Sequence, residues 1–386
     1  MNYRKRLERL RVLMEEAGLD GLLVSAPVDD VLGRHSANRR YLTGFTGSAG
    51  TVLVTREAAY LAVDPRYWQQ AGEECDPAAI TIVPVRGPER AWLRDLLGSA
   101  RLHGKRLGLS PHDTTLAAFE RLREAIDALP ANERPRLVTA PPLVERLRRV
   151  KDAEERRRIA RAAAIADEAL RDVLTLVEPG RTELELARAV EAAILRRGGE
   201  GVAFSTIVAA GPWGALPHAY PREVPLTEGA SLVIDMGAYV EGYCSDLTRT
   251  VPVGSASERF SFLYEAVREA QLAALETVAP GVRATEPYRA AREALERRGL
   301  AEFFTHGLGH GVGLEVHEGP YLGPHSDDVL EPGMVFTIEP GVYLPDWGGI
   351  RLEDLVFLGE DGPELLSRAE KLHLPRASDA SLAKGE

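Results

Sequence analysis

A twelve-residue frame occurs twice in this chain of 386 residues, and it restricts what the chain can fold into. Leu226-Thr-Glu-Gly-Ala-Ser-Leu-Val-Ile-Asp-Met-Gly237 aligns without a gap on Leu330-Glu-Pro-Gly-Met-Val-Phe-Thr-Ile-Glu-Pro-Gly341, which sets Asp235 against Glu339. Each copy leads to a second acid: Asp246 in Tyr243-Cys-Ser-Asp-Leu-Thr-Arg249, and Glu353 in Arg351-Leu-Glu-Asp-Leu355. Each is preceded by a histidine in a similar setting, His218 in Pro217-His-Ala-Tyr-Pro221 and His317 in Val316-His-Glu-Gly-Pro320. A chain that repeats histidine, acid, acid on two strand pairs reads as two halves facing each other across one site.

Val233-Ile234 and Thr337-Ile338 read as buried strands that end in a glycine turn. A carboxylate at the end of such a strand is costly unless it is paired or binds a cation. Four converging carboxylates repel one another and stay protonated unless positive charge lies between them. The expected ligands are Asp235, Asp246, His310, Glu339 and Glu353. His310 lies in Thr305-His-Gly-Leu-Gly-His-Gly-Val-Gly313, where glycines permit close backbone approach. One imidazole among oxygen donors suits a hard or borderline divalent ion, Mn²⁺ above all, with Co²⁺ or Zn²⁺ as alternatives. Asp235 and Asp246, on adjacent antiparallel strands joined by Tyr239–Glu241, can point at one centre, and Glu339 and Glu353 do the same through Tyr343–Gly349. Five ligands exceed the needs of one catalytic ion. Two ions ~3.5–4 Å apart, sharing a water deprotonated near neutral pH, are expected instead. Such a hydroxide is a nucleophile for a carbonyl carbon. A set of surface acids in local turns is the plainer reading, and their recurrence in register in both halves argues against it.

His218 and His317 sit at related places ahead of the two acid-bearing strands. Imidazoles there can donate hydrogen bonds to a scissile carbonyl or its oxyanion and shuttle protons. Arg351, on the same strand face as Glu353, can balance ligand charge or bind a substrate carboxylate. The glycines between His306 and His310 argue against a helix, so these two are not read as a helical metal-binding pair. His103, His112, His325 and His373 have no comparable context and read as surface residues.

The formal net charge of −11 and a pI near 5.5 argue against nucleic acid as the main partner. Two cysteines, Cys75 and Cys244, give no disulfide framework, and Cys244 reads as a packed small residue. The charged N-terminal segment is no apolar signal core, and no apolar run approaches the ~18 residues needed to cross a bilayer. A cytoplasmic setting and a homodimer are expected.

Along the chain, apolar residues at helical spacing over 4–17 are followed by strands at 21–24, 51–55, 59–63, 80–85 and 105–109 and by helices near 66–75, 89–97 and 114–128. This alternation indicates a compact α/β domain over residues 1–140. Gly44-Phe-Thr-Gly-Ser-Ala-Gly50 lacks the ending of a phosphate-binding loop and reads as a turn, or as a loop capping a neighbouring cleft. The segment from Pro130 to Pro142, with four prolines, reads as a linker. A second domain, residues 141–386, repeats helix, helix, histidine, strand pair. Its helices start at the capping boxes Asp152/Glu155 and Thr182/Glu185 and, in the second half, cover about 258–278 and 285–298. The Ser/Ala-rich tail from Ala377 reads as frayed.

At these residues the chain resembles the metal-dependent pita-bread peptidases, and within them the proline-peptidase branch. The matches are Asp235-Met-Gly, Gly242-Tyr-Cys-Ser-Asp246-Leu-Thr-Arg-Thr250, His306-Gly-Leu-Gly-His310-Gly-Val-Gly, His317-Glu-Gly-Pro, Ile338-Glu-Pro-Gly and Gly348-Gly-Ile-Arg-Leu-Glu353-Asp. The resemblance implies an α+β fold, with a creatinase-like N-terminal domain ahead of a two-metal domain built on an internal pseudo-two-fold repeat. It implies Asp246 and Glu353 as bridging ligands, Glu339 doubling as general acid/base, and His218 and His317 assisting the transition state. Thr43-Gly-Phe-Thr-Gly-Ser-Ala-Gly50 and Asp64-Pro-Arg-Tyr67 resemble the Xaa-Pro aminopeptidases, so release of an N-terminal residue ahead of proline is the expected activity. The alternatives are an Xaa-Pro dipeptidase and a peptide-binding module of the same fold. Trp213 stands where family members often carry Asn, and it is expected to reshape a substrate subsite.

Overall fold

A computed structural model describes residues 1–25, 36–111 and 113–374 of the chain. His112 and the tail from Ala377 lie outside the described residues. The chain divides into two compact units, Met1–Arg148 and Arg149–Glu386.

The first unit is a mixed six-stranded sheet, in the order Thr81–Pro84, Ala59–Val63, Thr51–Thr55, Gly21–Val24, Arg106–Leu109, Arg136–Thr139. Gly21–Val24 is buried at all four positions and pairs antiparallel with Thr51–Thr55 and parallel with Arg106–Leu109. A continuous apolar run is what a strand covered on both faces requires. Leu93, Leu96 and Leu97 of one helix and Leu122 and Ile126 of another pack on Leu23, Leu53 and Leu107.

Three local expectations differ here. Ala37–Thr43 is a helix where a turn is expected from Tyr41, and it stops at Gly44, whose φ of 79° is left-handed. The fully buried Arg39 donates to the carbonyls of Gly47 and Gly50, so the glycine-rich stretch is a turn wrapped on a guanidinium. Two of its carbonyls thus face a buried cation, which does not suit a phosphate. Within the expected linker, Arg136–Thr139 forms the edge strand beside Arg106–Leu109. The helix Leu143–Arg149 then follows, and Tyr41 Oη donates to Leu147 O at 3.3 Å while Arg148 donates to Asn38 Oδ1 at 2.8 Å. These bonds keep the helix with the first unit, so the division falls at Arg148, one helix later than the expected boundary at 140.

The second unit builds the same sub-fold twice. Helices Ala153–Leu174 and Glu183–Arg196 each begin at a complete capping box, Asp152/Glu155 and Thr182/Glu185. They precede a sheet of Ile207–Ala210, Ser231–Met236 and Leu247–Pro252. Helices Glu258–Thr277 and Thr285–Arg297 precede a sheet that contains Gly309–Gly311, Val335–Ile338 and Asp354–Gly359 in the corresponding places. The repeat extends to single hydrogen bonds. Gly180 N–H reaches Leu226 O at 3.0 Å and Leu226 N–H reaches Arg181 O at 2.7 Å. Gly281 N–H reaches Leu330 O and Leu330 N–H reaches Val282 O, both at 2.8 Å.

Each half has its own core, and strand alternation divides it from the site. Leu232, Ile234 and Met236 pack against the first pair of helices, and Phe336 and Ile338 against the second. Burial of each such side chain contributes roughly 1.5–3 kcal/mol. The opposite faces carry Asp235 in one half and Thr337 and Glu339 in the other, because successive side chains leave a strand on opposite sides.

Candidate active site

All five expected ligands line one cavity of 980 Å³, together with His218, His317 and Arg351. Asp246, His310 and Glu353 each offer a ligand atom, and these atoms lie within 4.8 Å of one another. His310 Nε2 is 3.3 Å from Glu339 Oε1 and 3.6 Å from Asp246 Oδ2. Asp235 completes the ring of acids through Arg351, whose Nη2 donates to Asp235 Oδ2 at 2.5 Å.

The backbone explains the convergence. Asp235 faces Thr248 in the antiparallel register of Ser231–Met236 with Leu247–Pro252, which places Asp246 just before the returning strand. Glu339 and Glu353 flank the pairing of Val335–Ile338 with Asp354–Gly359 in the same manner. His310 arrives on Gly309–Gly311, and a Cβ added at Gly309 would overlap the Thr337 carbonyl, one at Gly311 the Gly319 carbonyl. The glycines around His310 are therefore a packing requirement.

The donor set suits divalent cations. Asp235 Oδ1 is buried with no hydrogen-bond partner. His310 Nδ1 lies 3.1 Å from the Gly311 carbonyl. A carbonyl only accepts, so Nδ1 carries a proton, and Nε2 is the nitrogen turned toward the acids, able to bind a cation in place of its own proton. Burial, then the charges of Glu353, Asp235 and Glu339, push the Asp246 carboxyl well above its ordinary range. Burial, then Glu339 and Asp235, do the same to Glu353. Such groups hold protons that a cation would displace. Burial opposes ionisation of Glu339 too, but the hydrogen bond and charge of His310 outweigh it and bring Glu339 down to about 2. Burial and the neighbouring His310 lower His317 to about 4, and the two rings meet edge-on with centroids 4.3 Å apart.

Arg351 answers charge. Its Nε donates to Thr248 Oγ1 at 3.1 Å, and its Nη1 donates to Pro217 O at 3.2 Å and Tyr343 Oη at 2.9 Å. With the bond to Asp235, four of its five N–H groups are engaged inside the protein, which favours charge balance over capture of a substrate carboxylate.

Several residues at the site escaped the sequence reading. Thr248 Oγ1 donates to Glu353 Oε2 at 2.6 Å, and Thr337 Oγ1 donates to Glu339 Oε1 at 3.0 Å while accepting the His310 N–H. Each threonine stands two residues from an acid, and that spacing was the available signal. His306 lines the cavity, with Nε2 2.9 Å from Tyr343 Oη and Nδ1 2.7 Å from Gly307 O. His103, His325 and His373 are exposed, as expected, although His325 borders the cavity. Cys244 is buried, with its N–H on Gly313 O at 2.8 Å. Trp213 sits behind the cavity wall, not on it.

A duplicated α+β unit that closes four carboxylates and an imidazole on one cavity defines a metallopeptidase of the pita-bread type. The model of Metallopeptidase family M24 matches residues 157–360, and that of the Creatinase/Prolidase N-terminal domain matches residues 6–150. The chain belongs to metallopeptidase family M24. It is 33% identical over 369 residues to an Xaa-Pro dipeptidase of Pyrococcus furiosus, a match covering 95% of this chain and 99% of that one. The solved structure of an Xaa-Pro dipeptidase from Bacillus anthracis superposes with a TM-score of 0.88 at 34% identity, covering 96% of this chain and 99% of the other. That of an X-Pro aminopeptidase from Thermotoga maritima gives 0.82 at 34% identity, covering 95% and 98%. Among the described residues, no helix is long and apolar enough to cross a membrane.

Proposed function

We propose that this chain is a two-metal Xaa-Pro dipeptidase, with Asp235, Asp246, His310, Glu339 and Glu353 as the metal ligands. The observation that carries the reading is the convergence of Asp246, His310 and Glu353 to within 4.8 Å, with Glu339 and Asp235 beside them on the same cavity wall. Full-length similarity to enzymes named Xaa-Pro dipeptidase moves the choice from the aminopeptidase first expected to the dipeptidase. The aminopeptidase remains the second reading. In its favour are the Thermotoga maritima relative and a cavity of 980 Å³, at the top of the ~300–1,000 Å³ range of small-ligand pockets.

Divalent ions in this site, Mn²⁺ first on donor chemistry, would supply Lewis-acid polarisation and a water of lowered pKa. The residues of the chain do the rest. Asp235, with its unpaired Oδ1, draws the substrate's free amine toward the acids. Glu339 accepts a proton from the attacking water and returns it to the proline nitrogen as the C–N bond breaks. His317, neutral above about pH 4, and His218 donate hydrogen bonds to the carbonyl oxygen as it gains charge. Arg351 holds Asp235 in place and favours its ionised form against burial, which pushes that carboxyl up. A proline after the scissile bond offers no N–H, so a wall without a matching acceptor selects it. Two cysteines with no disulfide framework suit a cytoplasmic enzyme, and the reading includes a homodimer.

The test compares Ala-Pro with Ala-Pro-Ala on Mn²⁺-reconstituted protein. Dipeptide turnover at least ~100-fold above tripeptide turnover is expected. The reverse preference selects the aminopeptidase. Protein that binds both peptides and cleaves neither is a binding module.

A further inference from the structure

Trp213 lies in the turn Gly211–Ala215, between the strand Ile207–Ala210 and the loop that carries His218. His218 is exposed, so its position over the cavity depends on the backbone around it. That backbone is held from two sides. On the inner side, Arg351 donates to Pro217 O at 3.2 Å, and a Cβ added at Gly349 would overlap the Gly214 carbonyl. On the outer side the holder is Trp213. Its indole N–H donates to Tyr220 O at 2.9 Å, and its ring meets the Tyr220 ring edge-on at 5.2 Å. The Arg222 guanidinium lies 4.4 Å from the centre of the same ring.

Arg222 is itself fixed. It donates from Nε and Nη2 to the two oxygens of Glu183 at 2.9 and 2.8 Å. Glu183 is buried at the start of its helix and also accepts the backbone N–H of Ala210 and of Arg222, both at 3.0 Å. A chain of contacts therefore runs from a buried carboxylate through Arg222 and Trp213 to the carbonyl two residues beyond His218. Tyr220, at the far end, is 67% exposed, so little else restrains it from outside. A cation over an indole face near solvent is a modest attraction, which suits a restraint but not a core.

We propose that Trp213 is a positioning residue: it pins the Leu216–Pro221 loop to the Glu183–Arg222 pair and so holds His218 at the cavity wall. The effect on turnover rests on the peptidase reading; the effect on the loop does not. The experiment has two readouts on the Mn²⁺-loaded protein. In hydrogen exchange, Trp213→Ala should speed the hydrogen-bonded amides of Leu216 and Ala219 by about 10-fold, the scale of one lost neutral hydrogen bond, and leave the strands 231–236 and 247–252 unchanged. In turnover, Trp213→Ala should lower kcat/KM for Ala-Pro by about 10-fold in the wild-type background and by nothing further in His218→Ala, since coupled residues are not additive. Unchanged exchange at Leu216 and Ala219 overturns the proposal, as does an equal loss in both backgrounds. If wild-type protein cleaves no Xaa-Pro peptide, the peptidase reading fails and the exchange result alone decides the role of Trp213.

Discussion

The two halves of the second unit share a backbone plan and differ in chemistry. The first half supplies short acids, Asp235 and Asp246, and the second supplies long ones, Glu339 and Glu353. The strand Gly309–Gly311 brings His310 into the second half, whereas its counterpart Ile207–Ala210 brings only aliphatic side chains. The short hairpin after Asp235 carries no cation, and the one after Glu339 carries Tyr343 and Arg351. The holders also cross over. Arg351 of the second half grips Asp235 of the first, and Thr248 of the first half grips Glu353 of the second. The strands meet directly too, with Glu353 N–H on Thr248 O at 3.1 Å and Arg351 N–H on Thr250 Oγ1 at 3.0 Å. Duplication thus provides a frame that aims two pairs of acids at one point, and later divergence ties each pair to a residue of the other half.

The sharpest way to break this comparison is to remove one acid from each half. Asp246→Asn and Glu353→Gln should each lower Mn²⁺ retention and turnover by more than the roughly 100-fold that loss of an outer hydrogen-bond partner causes. Metal content after gel filtration, read beside kcat/KM, checks it. A retained site in Asp246→Asn and a lost one in Glu353→Gln would place the chemistry in the second half alone.

Next in size are the holders. Thr248→Val removes a donor to Glu353 and an acceptor for Arg351, across the two halves. Thr337→Val removes a donor to Glu339 and an acceptor for the His310 N–H, inside one half. Both should fall within about 10–100-fold in metal affinity, with Thr248→Val the larger because it loosens two of the proposed ligands, Glu353 directly and Asp235 through Arg351. Isothermal titration with Mn²⁺ ranks them, and a larger loss from Thr337→Val would deny that the crossed ties matter more than the local ones.

Much of this was legible in the residues. The gapless repeat gave the acids their register, because strand alternation is a local rule that one chain reveals. Asp152 with Glu155 and Thr182 with Glu185 marked helix starts for the same reason. The hidden parts depend on partners distant in sequence. Arg136–Thr139 is four residues between prolines, and only its neighbour Arg106–Leu109 makes it a strand. The helix Ala37–Thr43 has seven residues, too few to reveal a period. Thr248 and Thr337 look like ordinary strand threonines until the facing half shows what they hold. His306 was set aside because glycines exclude a helical pair, which is correct, yet it reaches the cavity from a bend ahead of the strand Gly309–Gly311 and meets Tyr343.

The smallest expected effect is on stability, and it tests whether the halves share their protons evenly. Asp246 is raised first by burial and then by Glu353, Asp235 and Glu339, and Glu353 first by burial and then by Glu339 and Asp235, while an unfolded carboxyl titrates near ~4. An acid with a raised folded pKa binds more protons folded than unfolded. Its contribution is whole below the unfolded value and is lost as pH rises through the folded one. Metal-stripped protein should therefore melt at progressively lower temperature as pH goes from about 5 to about 8, by about 2–4 °C for each kcal/mol lost. Mn²⁺-loaded protein should show no such fall, since a cation then answers the charge in place of protons. Stripped Asp246→Asn and Glu353→Gln should each flatten the slope. Equal flattening means the two acids carry the protons alike, and unequal flattening identifies the half that holds more of them. A stripped wild-type protein whose melting temperature rises over that range would contradict the mutual repulsion on which the metal site is argued.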